Sequence, residues 1–296
     1  MTQRIFSDQT GILSQRFRVV LTIGSDLQEA KKMGQEIRKA YADSSLGQIH
    51  YRIAGQGKPL LLVHQDPQSA LQFLYVMPLL IDAGFQVIAP DMPGYGLSEG
   101  SSEPSTIPEY ADVLVQLLDH LEIDQAIVVG HHTGASMACQ MAYANPKRVE
   151  RLVLHGLPWY TTEEREERLA RPHMDFSAKQ DGSHFSDLWD LIGKMSRGIS
   201  SLESSHMAAL HTLWAGDKHW FAHHAAFSYD MTDAISAVSA PTLVVTNTGD
   251  ILHFVAARLL EFRPDFSLVE LEGGTSYIIR DDPEGWFSAI IAFIKS

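Results

Sequence analysis

Residues 126–156, AIVVGHHTGASMACQMAYANPKRVERLVLHG, carry the pattern that decides the fold. Five residues, Ala126 to Gly130, form a short apolar run dense in β-branched side chains, which is how a strand buried on both faces reads. Twelve residues of helical character follow, TGASMACQMAYA, closed by Asn145 and Pro146, and a second apolar run, RLVLHG, comes after them. Strand, helix and strand at this spacing make a parallel crossover unit. Gly130 and Gly134 bracket the junction between the first strand and the helix, where missing side chains allow a tight turn and close approach of the backbones.

The same alternation extends in both directions. Upstream, QIHYRI and PLLLV read as strands, SALQFLYVMPLLIDAG as a helix, QVIAP as a strand and IPEYADVLVQLLDHL as a helix with apolar residues at helical spacing. Downstream, APTLVVTNTGD, VAARLLEF, SLVELEGG and PEGWFSAIIAFIKS read as strand, helix, strand and helix. Between Leu157 and residue 231 the alternation stops: residues 158–230 are charged and helical, lack apolar strands, and hold seven of the fourteen histidines. This is the pattern of an inserted helical lid, with a pocket expected between it and the sheet. Asp26 can cap a helix running LQEAKKMGQEIRKAYA, so residues 1–42 are expected to be a helical extension, laid on the domain or used in assembly, for instance of a homodimer.

Composition narrows the function classes. With 45% hydrophobic and 20% charged residues, and no apolar run near the roughly 20 residues of a membrane span, the chain reads as a soluble globular domain that does not engage membrane. The start shows no apolar stretch ended by a small-residue cleavage site, so a cytoplasmic location is expected. A formal charge of −13 without a Lys/Arg stripe argues against nucleic acid. Cys139 is the single cysteine, in an apolar helical stretch, which excludes an internal disulfide and a thiolate-rich metal site.

The ordered segments LLLVHQDPQS, VIAPDMPGYGLSEG, AIVVGHHTGASMA, NPKRVERLVLHG, PTLVVTNTGD and PEGWFSAIIAFI together resemble the α/β-hydrolase superfamily, in its subgroup with a helical cap, from about Gly47 to the C-terminus. The resemblance implies a mostly parallel central sheet with helices on both faces, a core made of residues 43–157 and 231–296, and a cap at 158–230. Gly130-His131-His132-Thr133-Gly134 then matches the nucleophile elbow, with His132 where the family has Ser, Asp or Cys. Asp250, ending NTGD, matches the acid that orients the family's histidine; its alternative is a turn aspartate that caps the next helix. The register back from Pro283 and Glu284 puts Ser276 where the histidine belongs, and no histidine lies between His253 and the C-terminus. The resemblance therefore implies the set His132, Asp250 and Ser276, with serine and histidine exchanged and an imidazole nitrogen of His132 close to the Ser276 hydroxyl. A decayed triad filling the pocket floor is the competing reading.

His64-Gln65-Asp66-Pro67 resembles the family's His-Gly-x-Pro oxyanion loop, which makes the Asp66 and Thr133 amides the expected donors. An Asp66 carboxylate facing the pocket would oppose an oxyanion and favour an imidazolium at His132; turned outward, it would cap a neighbouring amide. His64, with Trp159, Tyr160, Trp214 and Trp220, is assigned to the substrate pocket, and Trp189, Phe221 and Phe227 are further aromatic candidates from the lid, though such side chains also pack a lid on its core. His219 and His223 share a helical face as metal ligands can, but no acidic partner completes a metal motif, and neither metal nor cofactor is expected. The resemblance implies a hydrolase of a small, largely apolar organic molecule. Lyase, isomerase or cyclase chemistry by proton transfer alone is the alternative, and a binding or scaffold protein without chemistry is the third.

Overall fold

A computed structural model describes residues 36–196 and 198–296. Eight strands form one sheet in the order β1-β2-β4-β3-β5-β6-β7-β8. They are β1 Arg38–Ser44, β2 Gly47–Ala54, β3 Lys58–Val63, β4 Phe85–Pro90, β5 Ala126–His131, β6 Val149–His155, β7 Thr242–Asn247 and β8 Ser267–Leu271. The first three in the order pair antiparallel and all later pairs are parallel. Every residue of β5 and β7 is buried, as central strands covered on both faces must be, whereas the edge strand β8 keeps Leu268 exposed.

In chain order the helices are α1 Met77–Asp82, α2 Ile107–His120, α3 Thr133–Ala144, α4 Thr162–Leu169, α5 Ser183–Met195, α6 Leu202–Ala215, α7 Phe221–Ser228, α8 Thr232–Ala237, α9 His253–Phe262, α10 Ile278–Asp281 and α11 Pro283–Lys295. α2 starts where Thr106 and Glu109 form a reciprocal capping box, and buries Ile107, Tyr110, Ala111, Leu114, Leu117 and Leu118. The same device at Thr161 and Glu164 starts α4, the first helix between β6 and β7. From β6 to β7 the described chain is helical, with α4 to α8 and no strand. Cys139 is buried in α3 as a packing residue.

One expectation needs correction. Residues 1–35 lie outside the described residues, but Arg38–Ser44, the end of the segment read as helix, is a strand paired with β2 from Arg38↔Ile53 to Ser44↔Gly47. Local helix propensity in RKAYA yields to non-local pairing, and the sheet begins five residues before the boundary set at residue 43.

Candidate active site

The end of β5 passes into α3 through His132, whose φ of 50° and ψ of −119° are a backbone conformation that costs a non-glycine residue energy. Packing enforces it. A Cβ at Gly130 would lie 2.3 Å from Gly134 O and 2.5 Å from the Cα of Ala135, and one at Gly134 would lie 2.3 Å from Val63 O. The His132 amide donates to His155 O at 2.9 Å, fixing the turn to β6.

From this turn the His132 side chain reaches Asp250: Nε2 lies 2.8 Å from Oδ2, both residues being buried. Asp250 follows β7, and its Oδ1 accepts the Leu252 N–H at 2.6 Å, so the carboxylate is held at both oxygens. Burial raises the Asp250 pKa, but His132, His155 and the Leu252 amide outweigh it and hold the pKa below the ordinary value. An ionised carboxylate only accepts, so the proton between the two groups sits on Nε2. Nδ1 then carries the lone pair, and it makes no hydrogen bond to the described protein. The ring lies over Gly156, where a Cβ would come 2.5 Å from Cδ2 and 2.7 Å from Nε2. That glycine, at φ 61°, opens the slot through which the imidazole meets the acid.

Among the described residues no hydrogen bond joins Ser276 to His132. The Ser276 carbonyl accepts from Gln65 Nε2 at 2.7 Å, and its hydroxyl is absent from the partners of His132. The hydrogen bond that the His132 ring makes is to Asp250, and the missing side chain at Gly156 leaves room for the ring in that direction.

The Asp66 loop also differs from expectation. The Asp66 N–H donates to Thr133 Oγ1 at 2.8 Å, so one of the two expected oxyanion amides is engaged by the side chain that follows His132. The Asp66 carboxylate does not turn to solvent. It is buried against the cap helix α7, where Oδ2 accepts the His223 backbone N–H and lies 2.9 Å from His223 Nδ1. Oδ1 is buried without a partner. Desolvation disfavours the His223 imidazolium, but the adjacent Asp66 charge and hydrogen bond raise its pKa above the usual histidine value. Burial and the same carboxylate push Tyr95 well above the tyrosine range. Gln65 is tied down by its amide, which donates to Gln72 Oε1, and His64 is buried between Gln65 O and the Met92 N–H, so it holds the loop together.

Behind the elbow, His131 and His155 stack at 4.6 Å between ring centroids. Trp286 Nε1–H donates to His155 Nδ1, which places the His155 proton on Nε2, donated to Asn247 Oδ1 at 3.0 Å. Asn247 Nδ2 in turn donates to Gly273 O. Burial lowers the His155 pKa to about 4 and drives His131 well below the ordinary value. Gln72 Nε2 donates to His131 Nδ1, so the His131 proton is on Nε2, buried and unpartnered. Ligand atoms of His131, His155 and Asp250 lie within 4.8 Å of one another. As a metal site this set is poor, because His155 is hydrogen-bonded at both nitrogens, Asp250 is hydrogen-bonded at both oxygens, and the free His131 nitrogen carries a proton.

The aromatic residues assigned to the pocket scatter. Tyr160 is buried against Leu252, Val255 and Phe227, next to the acid turn. Trp159 packs on Phe262, its indole N–H donating to Thr232. Trp214 is 70% exposed and donates to Gly96 O. Trp220 stacks on His173 at 3.6 Å and, with Phe176, His219 and Phe221, lines a cavity of about 430 Å³ between the cap and the loop at Ser102–Pro104, and His132 is not among its lining residues. Gly156 and the Asp66–His223 pair escaped sequence reading. The unusual aspartate in HQDP was legible, but its partner 157 positions away leaves no local signal.

A family model described as alpha/beta hydrolase fold matches residues 58–182. Bifunctional epoxide hydrolase 2 of Mus musculus is 39% identical over 116 residues, 38% of this chain and 20% of that protein. Soluble epoxide hydrolase of Corynebacterium sp. (strain C12) is 38% identical over 122 residues, 41% of this chain and 42% of that protein. The matched stretch thus spans less than half the length of either relative. The solved structure of a bromoperoxidase from Bacillus anthracis matches with a TM-score of 0.74 at 21% identity, over 88% of this chain and 100% of that one. The likeness is one of fold.

Proposed function

Starting from a chain that has the α/β-hydrolase fold, we propose that it is a cofactor-free hydrolase of a small, largely apolar organic substrate, with His132 as general base and Asp250 as the acid that orients it. The observation that carries this reading is the 2.8 Å contact of Nε2 with Oδ2, which leaves a lone pair on Nδ1. A neutral imidazole in that tautomer takes a proton from water as the water oxygen attacks an electrophilic carbon, and the buried Asp250 carboxylate stabilises the imidazolium that results. The relatives named as epoxide hydrolases support hydrolysis as the class.

A second reading, a lyase, isomerase or cyclase working by proton transfer, draws on the Asp66 amide: with its N–H given to Thr133 Oγ1, the expected pair of donors for a tetrahedral oxyanion is incomplete. A ligand-binding protein without chemistry is the third. Turnover of p-nitrophenyl acetate and butyrate, styrene oxide and 1-bromobutane, by wild type and His132→Ala, separates them. Hydrolysis of one of these that His132→Ala abolishes supports the hydrolase. Binding without turnover favours the third reading.

A further inference from the structure

We propose that His223 is a second acid–base group, a general acid held by Asp66 on the cap side of the space that His132 borders from the core side; this rests on the reading of His132 as base. Five contacts link the two pairs. Asp66 donates its amide to Thr133, the residue after His132, while its carboxylate holds His223. The His223 ring meets Phe227 at 5.8 Å, and Phe227 meets Tyr160 at the same distance. Tyr160 packs on Leu252, two residues beyond Asp250. The loop of contacts therefore runs from one imidazole to the other through both aspartates.

The chemistry of the two pairs is opposite. His132 offers an unpartnered Nδ1 lone pair, whereas His223 has Nδ1 committed to Asp66, leaving Nε2 to present a proton when the ring is charged. The His223 side chain is 41% exposed while the Asp66 side chain is fully buried, so the hydrogen bond fixes the ring at Nδ1 and leaves Nε2 free to meet a substrate. The groups facing this pair are Tyr95 from the loop after β4 and Tyr110 from α2, both with raised pKa values, and His64, whose pKa burial holds below the ordinary histidine value. No second cation among these competes with the imidazolium. Groups whose environments push their pKa values apart divide into acid and base. In hydrolysis the water proton passes to His132 Nδ1 and the oxygen bonds to carbon. The bond from that carbon to the leaving oxygen breaks, and the His223 Nε2 proton moves to that oxygen. One water is consumed, and solvent returns the proton from His132 to His223.

The test is a histidine-selective ¹⁵N NMR titration of the full chain. The signal lost in His223→Gln should titrate above the ordinary histidine value of 6.5 in wild type and fall in Asp66→Asn. A wild-type value at or below 6.5 overturns the proposal, whether or not Asp66→Asn folds. In a second arm, His223→Gln should lower kcat about a hundredfold on ethyl butyrate, whose leaving ethoxide needs a proton, and about tenfold or less on p-nitrophenyl butyrate. Equal losses overturn the acid role. If wild type hydrolyses neither ester, the reading of His132 as base fails on that chemistry, and the titration still decides His223.

Discussion

Gly156→Ala is the substitution that most sharply probes how His132 reaches its acid. The added methyl would lie 2.5 Å from Cδ2 and 2.7 Å from Nε2 of His132, where ordinary contact begins at 3.4 Å, so the ring must retreat by roughly 0.9 Å. A retreat of that size takes the 2.8 Å hydrogen bond to Asp250 past the distance at which it counts as one. Losing a buried hydrogen bond to a charged group costs about 2 kcal/mol, and alanine at a left-handed φ adds about 1 kcal/mol. We expect Gly156→Ala to lose about 3 kcal/mol in urea unfolding. We expect kcat to fall by about 10³ to 10⁴, as when an orienting acid is disabled. Gly193→Ala, in α5 with open space around its Cβ, is the control and should be stabilised by about 0.5–1 kcal/mol. Wild-type turnover in folded Gly156→Ala would refute the claim that the slot over Gly156 sets the dyad.

Three further outcomes follow from the same geometry. Asp250→Asn should cut turnover by about 10⁴, and its stability deficit should be present at neutral pH and vanish as pH falls below about 4. The sign follows from the depressed Asp250 pKa, whose contribution is present above the unfolded-state value and lost as pH falls through the folded one, and urea unfolding at stepped pH measures it. Thr133→Val frees the Asp66 N–H at a cost of about 1 kcal/mol and should raise p-nitrophenyl acetate hydrolysis; unchanged or lower rates would show that this amide is not aimed at an oxyanion. His155 and His211, both lowered to about 4 by burial, stay neutral in the fold while the unfolded chain takes up protons, so stability should fall as pH drops from about 6.5 to 4. Unfolding free energies that stay level across that range would contradict it.

The sheet was legible because β3 to β7 each carry a short continuous apolar run, and such runs between helices have few other solutions. β1 was not, since RKAYA favours helix locally and becomes strand only through its partners seven to fifteen residues away. At the site, the elbow and the acid turn were readable as motifs, which is why His132 and Asp250 could be named together. The direction of the His132 ring was not readable. It depends on a missing Cβ at Gly156, just past the end of β6, which the apolar pattern of that segment does not single out. Asp66 was correctly singled out as unusual, yet its partner lies in the cap, and a one-dimensional pattern cannot choose among seven cap histidines. Trp214 shows the opposite failure: aromatic character suggested a pocket wall, and the side chain is on the surface.

The most direct test of the central claim is the turnover of His132→Ala beside wild type on whichever probe wild type hydrolyses, with folding checked by urea unfolding. The account predicts a loss of about 10⁴ in kcat in a folded variant, since both the base and the partner of Asp250 are gone. Wild-type turnover by folded His132→Ala would contradict it.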